Sequence, residues 1–539
     1  MFKYLHPYHP DSWEGQVKSG LIDRHAGVRL VQGNFTEDES RFNRLAAKGG
    51  KFYQVVKELN GPMYVDRLQG GLPIYDYTYD TALIEEYNNL LGDNFYGFQF
   101  HEWASNLRSD LVHIASDPDC DWTVEGIKKA IYKLFPYPDL QLEAQTAEET
   151  AQMGPIRTAE EFYHAIVSLL ERRCSKFRLV PCDSGALAYK LELEHGIRTF
   201  MPEVGAQTAD ARMQISYARS MARAYGARFG VYYEPWGGRP FSTCFCQRDN
   251  ICEWGGLTND NFPYKSAGEN GGSSRSLQKR IHLYSYLSGA EFISEEWGGG
   301  NTFYDFVDFE LTPYGIEKKK FLSFVNKYPE IGEKMTPIAL VLPKDYTVVY
   351  GIHAGATFAD YPVLGEKGEK LVRIKNAICD VFSRPVSDMT GDEIGVLINS
   401  DIPDAVDMIH EDSKTIGEYE YLIDATRNPA FAKEHSNICA IEDLPYIFEK
   451  TLPCKVEGGL HWMVNRCEDK YYLAIFNHSG ISRSVAEGEK VIPGSEKTVK
   501  VTLKPGRYLK ALEGTEISNE ENGVYYIKIT GGDWFFGEF

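Results

Sequence analysis

Four short motifs in the chain hold glutamate next to or near tryptophan: HEW at 101–103, EPW at 234–236, CEW at 252–254 and EEW at 295–297. Three of them close a short apolar run that is typical of a buried strand, and the carboxyl ends of strands hold the chemistry of a β/α barrel. Two carboxyl groups can cleave a glycosidic bond, while indole rings stack on sugar faces. The alternative interpretation is that the tryptophans fill the core and the glutamates are surface charges. Because three motifs share the same position at a strand end, we prefer the prediction of a sugar-cleaving site.

Seven apolar runs alternate with helical patterns over the first part of the chain. The runs lie at 27–32, 63–68, 95–100, 177–182, 198–203, 228–233 and 290–295. This alternation predicts a (β/α)8 TIM barrel, and a dinucleotide-binding sheet is disfavoured because no glycine-rich fingerprint follows the first run. Counting backward from the last run puts Glu234 at the end of the seventh strand and Glu102 at the end of the fourth. Counting forward leaves one strand missing, which we expect at or near 20–23.

The periodicity changes twice after the barrel. Residues 336–445 predict a smaller α/β domain of Rossmann-like type, with strand candidates at 335–343, 394–399 and 419–425. Residues 446–539 alternate with a period of two, which predicts an antiparallel, sandwich-like β-domain. The sequence therefore predicts three domains, with the catalytic barrel at 1–335.

Composition excludes several classes of partner. The formal net charge of −20, without a Lys/Arg block, argues against nucleic acid. No apolar run is long enough to cross a membrane, and the amino terminus lacks a signal-peptide pattern. The ten cysteines are scattered, which predicts reduced thiols and a cytoplasmic protein.

We expect neither a cofactor nor a metal. Cys244, Cys246 and Cys252 supply three soft ligands, whereas a structural zinc site normally needs four, so buried free thiols are the preferred interpretation.

The motifs YGFQFHEW and LQKRIHLYSYLSGAEFISEEWG resemble those of retaining (β/α)8-barrel glycoside hydrolases. Together with the domain order, they look like family 42 β-galactosidases and related β-mannosidase-like families. The resemblance implies an exo-acting retaining β-glycosidase, galactosidase- or mannosidase-like, that acts on an oligosaccharide or glycoside. It further implies Glu102 as acid/base, Glu234 as nucleophile, and a homo-oligomer such as a trimer. One departure is that His101 stands where those families have asparagine, so His101 or Asn106 would contact the sugar instead.

Further side chains near the strand ends are candidates for holding the sugar. They are Asp66, Arg67, His101, Trp103, Asn106, Asp183, Glu203, Tyr233, Trp236, Glu295, Glu296 and Trp297. Glu203 is also the alternative nucleophile. An inverting glycosidase and a non-catalytic carbohydrate-binding barrel remain alternative functions. A metal-dependent lyase or isomerase would require clustered His, Asp and Glu ligands at strand ends, where His101 is the one histidine in the predicted strands.

Overall fold

A computed structural model describes most of the 539-residue chain. The described residues are 1–8, 10–31, 55–56, 58–59, 61–69, 71–72, 81–134, 144–184, 186–205, 210–234, 268–269, 274–296, 302–304, 307–349, 355–382, 397–484 and 488–539. Cys244, Cys246, Cys252 and the CEW motif at 252–254 lie outside this part.

Eight parallel strands form a closed barrel, which confirms the predicted fold class. Their bounds are β1 Lys3–Tyr8, β2 Ala26–Val31, β3 Met63–Gln69, β4 Phe95–His101, β5 Leu179–Asp183, β6 Thr199–Gly205, β7 Arg228–Glu234 and β8 Phe292–Glu295. Each strand pairs with its neighbours in chain order, and β8 closes the ring onto β1 through Leu5 and Ser294. Glu102 therefore follows the fourth strand and Glu234 ends the seventh, as the backward count predicted.

The first strand is the one element of the barrel that the sequence misplaced. It is Lys3–Tyr8, not a segment at 20–23. The run KYLHPY shows no apolar alternation, and its buried polar side chains are instead accommodated by hydrogen bonds. Tyr4 donates to Glu295 at 2.7 Å, and His6 lies 3.1 Å from Gln16 Oε1. Of the two apolar residues at 20–23, Leu21 is buried and Ile22 is partly buried, in a connecting segment that is not a strand.

Helices surround the barrel and continue into the following region. Their bounds are α1 Pro10–Lys18, α2 Thr81–Leu91, α3 Trp103–Ser116, α4 Val124–Leu134, α5 Ala144–Met153, α6 Ala159–Lys176, α7 Tyr189–Glu194, α8 Ala211–Tyr225, α9 Arg275–Leu287, α10 Pro313–Lys327, α11 Gly365–Phe382, α12 Pro429–Glu434 and α13 Leu444–Thr451.

Strand residues alternate between the barrel interior and the helix layer. The interior holds its own cluster of buried side chains: Leu5, Tyr64, Val180, Cys182, Met201, Tyr232 and Phe292. Glu203 follows Met201 by two positions and Glu234 follows Tyr232 by two, so the alternation turns both carboxylates inward. This layering separates the site residues from glutamates that face the helices.

The region after the barrel begins with a three-stranded parallel sheet, formed by β9 Ile338–Leu342 between β10 Val406–His410 and β11 Tyr421–Asp424. The sequence missed β10, and the described part of the candidate strand at 394–399 is not a strand. Helix α8 packs against this sheet: Ser216 donates to Val406 O at 2.6 Å, and Tyr217 lies 2.6 Å from His410 Nε2.

Antiparallel sheets form the carboxyl-terminal region, as predicted. Their strands are β12 Cys454–Glu457, β13 His461–Cys467, β14 Lys470–Phe476, β15 Ile481–Ser484, β16 Gly488–Val491, β17 Lys497–Leu503, β18 Lys510–Gly514, β19 Ile517–Glu521, β20 Val524–Ile529 and β21 Trp534–Glu538. The short strand Glu333–Lys334 joins β13. The domain boundaries at 335 and 445 stay predictions. Among the described helices, none has the length and apolarity that a membrane span requires.

Candidate active site

Glu102 lies at the turn between β4 and α3. Its backbone is left-handed, with φ 41° and ψ 42°, a conformation that is uncommon for a residue with a side chain. Its N–H donates to Cys182 O of the next strand at 2.6 Å. The side chain is 33% exposed, and Ser184 Oγ donates to its Oε1 at 3.1 Å. Glu102 is thus held at the carboxyl end of the barrel with access to solvent, as a proton donor requires.

His101, the last residue of β4, contacts the same carboxyl group. Its Nε2 lies 3.6 Å from Glu102 Oε2, and its Nδ1 lies 3.2 Å from Gln99 Nε2. When the Gln99 amide donates to Nδ1, the imidazole proton lies on Nε2, toward Glu102. Asn106 donates to the backbone oxygen of His101 at 3.3 Å, so its amide supports the end of the strand. Of the two, His101 contacts the Glu102 carboxyl group, whereas the Asn106 amide contacts the backbone.

Glu234 ends β7 and is only 3% exposed. It pairs with Gly205, the last residue of β6. A Cβ at position 205 would lie 2.6 Å from the Cβ of Glu234 and 2.2 Å from its carbonyl oxygen. Only glycine leaves room for Glu234 at this place, so the sequence of β6 determines where this carboxylate lies.

Glu203 faces the interior one inward position deeper than Gly205. It pairs with Tyr232 and is 2% exposed. The side chains of His101, Cys182 and Glu203 offer ligand atoms within 4.8 Å of one another. Burial, and after it the charge of Glu203, hold the pKa of the Cys182 thiol well above its usual range. These three side chains form one buried polar cluster near the carboxyl ends of β4, β5 and β6.

Asp183 is the last residue of β5 and is 4% exposed. Its Oδ1 accepts a hydrogen bond from Ser105 Oγ at 3.1 Å, which ties β5 to the first turn of α3. Asp183 follows the inward-facing Cys182 by one position, and this bond holds it against α3. Its sugar-binding role stays a prediction.

Sequence reasoning missed Arg29, Gln99, Tyr232 and Ser184. Arg29 of β2 is buried inside the barrel, donates to Glu295 O, and lies over the Tyr232 ring at 5.4 Å from its centroid. A signal was present, since Arg29 interrupts the apolar run of β2 and Gln99 interrupts that of β4. A buried polar residue in a strand needs partners, and here its partners are at the site.

Trp103 does not lie in the barrel mouth, which corrects its predicted role as a sugar-binding residue. Its side chain is fully buried in the layer between the strands and the helices. The indole stacks on Phe100 with ring centroids 5.3 Å apart, and Nε1 donates to Glu192 Oε1 at 3.0 Å. Because Phe100 faces outward from β4, the ring that stacks on it faces the helices too.

Tyr233 and Glu295 are also turned toward the helices, against the prediction. Tyr233 is fully buried and its ring meets His282 of α9 at 5.2 Å in an edge-on contact. Glu295 forms a fully buried ion pair with Lys318 of α10 at 2.6 Å. Each follows an inward residue by one position, and the strand alternation reverses its direction.

The remaining candidates are less fully described. Glu296 follows β8, is 4% exposed, and its N–H donates to Tyr233 O at 2.9 Å. The backbone of Asp66 and Arg67 belongs to β3. Their side chains, and Trp236 and Trp297, lie outside the described part of the chain.

The described site thus has two carboxylates near the ends of β4 and β7, a third deeper on β6, and a histidine beside the first. Such a set can donate a proton and attack an electrophilic carbon without a cofactor.

No protein-family model and no curated protein sequence matches the chain. Solved structures are similar over its whole length. A catalytic mutant of Gan42B, a GH42 β-galactosidase from G. stearothermophilus, has a TM-score of 0.49 at 10% identity, covering 100% of this chain and 98% of that one. The β-galactosidase of the Antarctic haloarchaeon Halorubrum lacusprofundi has a TM-score of 0.47 at 9% identity, with 99% and 98% covered. The α-L-fucosidase isoenzyme 2 from Paenibacillus thiaminolyticus has a TM-score of 0.42 at 10% identity, covering 99% of this chain and 98% of that one.

Proposed function

We propose that the protein is a retaining β-glycosidase in which Glu234 is the nucleophile and Glu102 the general acid/base. The observation that carries the proposal is the strand order: Glu102 follows the fourth strand and Glu234 ends the seventh strand of one closed barrel. Both carboxylates therefore belong to the same end of the barrel, where barrel enzymes hold their active sites.

The exposures of the two carboxylates suit different tasks. Glu102 is 33% exposed at the side chain, which lets it exchange protons with solvent between the two steps. Glu234 is 3% exposed, and the glycine opposite it fixes its backbone. A nucleophile benefits from such fixed placement, since effective attack depends on a defined distance and angle.

In the first step, a carboxylate oxygen of Glu234 attacks the anomeric carbon while Glu102 donates its proton to the departing oxygen. The glycosidic bond breaks, an alcohol leaves, and a glycosyl ester forms on Glu234. In the second step, Glu102 takes a proton from water as the water oxygen attacks the anomeric carbon. The ester bond breaks and both glutamates return to their starting states.

Glu203 is less suited to the nucleophile's role. It lies one inward position deeper in the barrel than Glu234, close to His101 and Cys182. There it can accept hydrogen bonds from a sugar or orient the histidine. The exo-acting, galactosidase- or mannosidase-like specificity and the homo-oligomeric state follow from the sequence resemblance alone and are part of the proposal.

A panel of aryl β-galactoside, β-mannoside, β-glucoside and α-arabinoside tests the proposal with purified protein. We expect hydrolysis of at least one, and proton NMR of the first product should show the anomeric configuration of the substrate. An inverted first product would favour the inverting alternative. Sugar binding without hydrolysis of any member would favour a carbohydrate-binding barrel.

A further inference from the structure

Glu192 of α7 is a buried carboxyl group that the proposed mechanism does not use. It is 1% exposed and its Oε1 accepts the indole N–H of Trp103 at 3.0 Å. Trp103 is the first residue of α3 and directly follows Glu102. Glu192 therefore contacts the chain one residue away from the proposed acid/base.

The backbone of Glu102 needs support from its neighbours because its left-handed conformation is strained for a residue with a side chain. On one side its N–H is bonded to Cys182 O at 2.6 Å. On the other side, Trp103 is fixed by its stack on Phe100 and by the bond to Glu192. The stack fixes the plane of the indole, and the hydrogen bond fixes its rotation within that plane.

We propose that Glu192 is a positioning residue that, through Trp103, holds Glu102 where its carboxyl group reaches Ser184. The inference rests on the proposed function for its catalytic meaning. Its structural part, that the Glu192–Trp103 bond determines the conformation of Glu102, does not depend on the proposed function.

The protonation of Glu192 suits this role. Burial, with a smaller contribution from the charge of Asp183, raises the pKa of Glu192 to about 8, although the bond from Trp103 opposes the rise. Near neutral pH the group is thus an uncharged acceptor. It can hold the indole without placing a second negative charge near Glu102.

Two substitutions remove the bond from opposite sides. Trp103→Phe removes the donor and keeps an aromatic ring on Phe100, whereas Glu192→Leu removes the acceptor. Glu192→Gln keeps an acceptor oxygen at the same length and should behave as the parent does. Tyr419→Phe is a matched control: it removes a buried aromatic donor from another buried carboxyl group, that of Asp407 in β10, at 2.9 Å.

The kinetic readout is the dependence of kcat/KM on the leaving group. Trp103→Phe and Glu192→Leu should lose about 10²-fold on glycosides with poor leaving groups, because a misplaced acid no longer protonates them. Dinitrophenyl glycosides, which need no proton, should be hydrolysed at nearly the parent rate. A leaving-group dependence equal to that of Tyr419→Phe would overturn the inference.

Crystal structures of the parent and of Trp103→Phe provide a readout that does not require activity. We expect residue 102 to leave the left-handed region or its carboxyl group to leave Ser184. Unchanged backbone and Ser184 contact would overturn the positioning role. If the parent hydrolyses no glycoside, the proposed function fails, and this comparison alone decides the inference.

Discussion

Gly205 and Glu234 approach each other so closely across β6 and β7 that a methyl group on residue 205 would overlap the nucleophile candidate. The Cβ of Glu234 would lie 2.6 Å from the added atom and its carbonyl oxygen 2.2 Å. Both are too close for ordinary contact, so any side chain at 205 must displace Glu234.

Gly205→Ala should therefore lower kcat/KM by about 10²-fold, because a shift of about 1 Å in a reacting group has an effect of this size. Gly230→Ala is the matched control. Gly230 lies on the same strand as Glu234 but nearer the start of that strand, and an added Cβ would lie 2.3 Å from the Phe292 ring. Both variants should lower Tm. Equal kcat/KM losses in the two variants would contradict a specific effect on Glu234.

Lys318→Met should destabilise the protein by about 3–5 kcal/mol, because it leaves the carboxylate of Glu295 buried without its cation. The pair is 2.6 Å apart and both side chains are 0% exposed. Urea unfolding measures the change. Lys320→Met, which removes the pair between a 66% exposed lysine and Glu317, is the control and should cost less than about 1 kcal/mol. A similar small loss in Lys318→Met would show that Glu295 is not held in this way.

The pH dependence of stability should report on Glu192. Burial raises its folded-state pKa from 4.5 to about 8, so between these values the folded chain holds a proton that the unfolded chain has released. The stabilisation from this protonated state is complete below 4.5 and is lost as the pH rises toward 8. Glu192→Gln has no titrating carboxyl group at this position, so its stability does not change with pH in this way.

Relative to the parent, the free energy of unfolding of Glu192→Gln should therefore rise from pH 5 to pH 9. Urea midpoints at several pH values measure the difference. A difference that is constant over this range would mean that Glu192 titrates alike in the folded and unfolded chains.

Much of the barrel could be predicted because its strands are short apolar runs that end in charged residues. Seven of the eight strands lie where these runs predicted, and the backward count assigned Glu102 and Glu234 correctly to the ends of β4 and β7. The first strand could not be found in this way. Its residues Tyr4 and His6 are buried by hydrogen bonding to distant side chains and not by an apolar pattern.

The errors at the site have one physical origin. Trp103, Tyr233 and Glu295 are each one residue away from an inward-facing or site position, and this single step turns the side chain toward the helices. Glu295 in particular depends on a cation from α10, a contact between distant parts of the chain that no local spacing indicates. Glu192 was missed for the same reason, since its partner Trp103 belongs to another β/α unit.

Azide rescue of two alanine variants tests the roles of the glutamates most directly. With an aryl β-glycoside, Glu234→Ala should lose turnover, and added azide should restore it as the α-glycosyl azide, because azide attacks from the face that the nucleophile has vacated. Glu102→Ala should still form the ester with reactive substrates and then yield the β-azide. Opposite anomers from the two variants are the predicted result. A fully active Glu234→Ala, with Glu203→Ala giving the α-azide instead, would contradict the account.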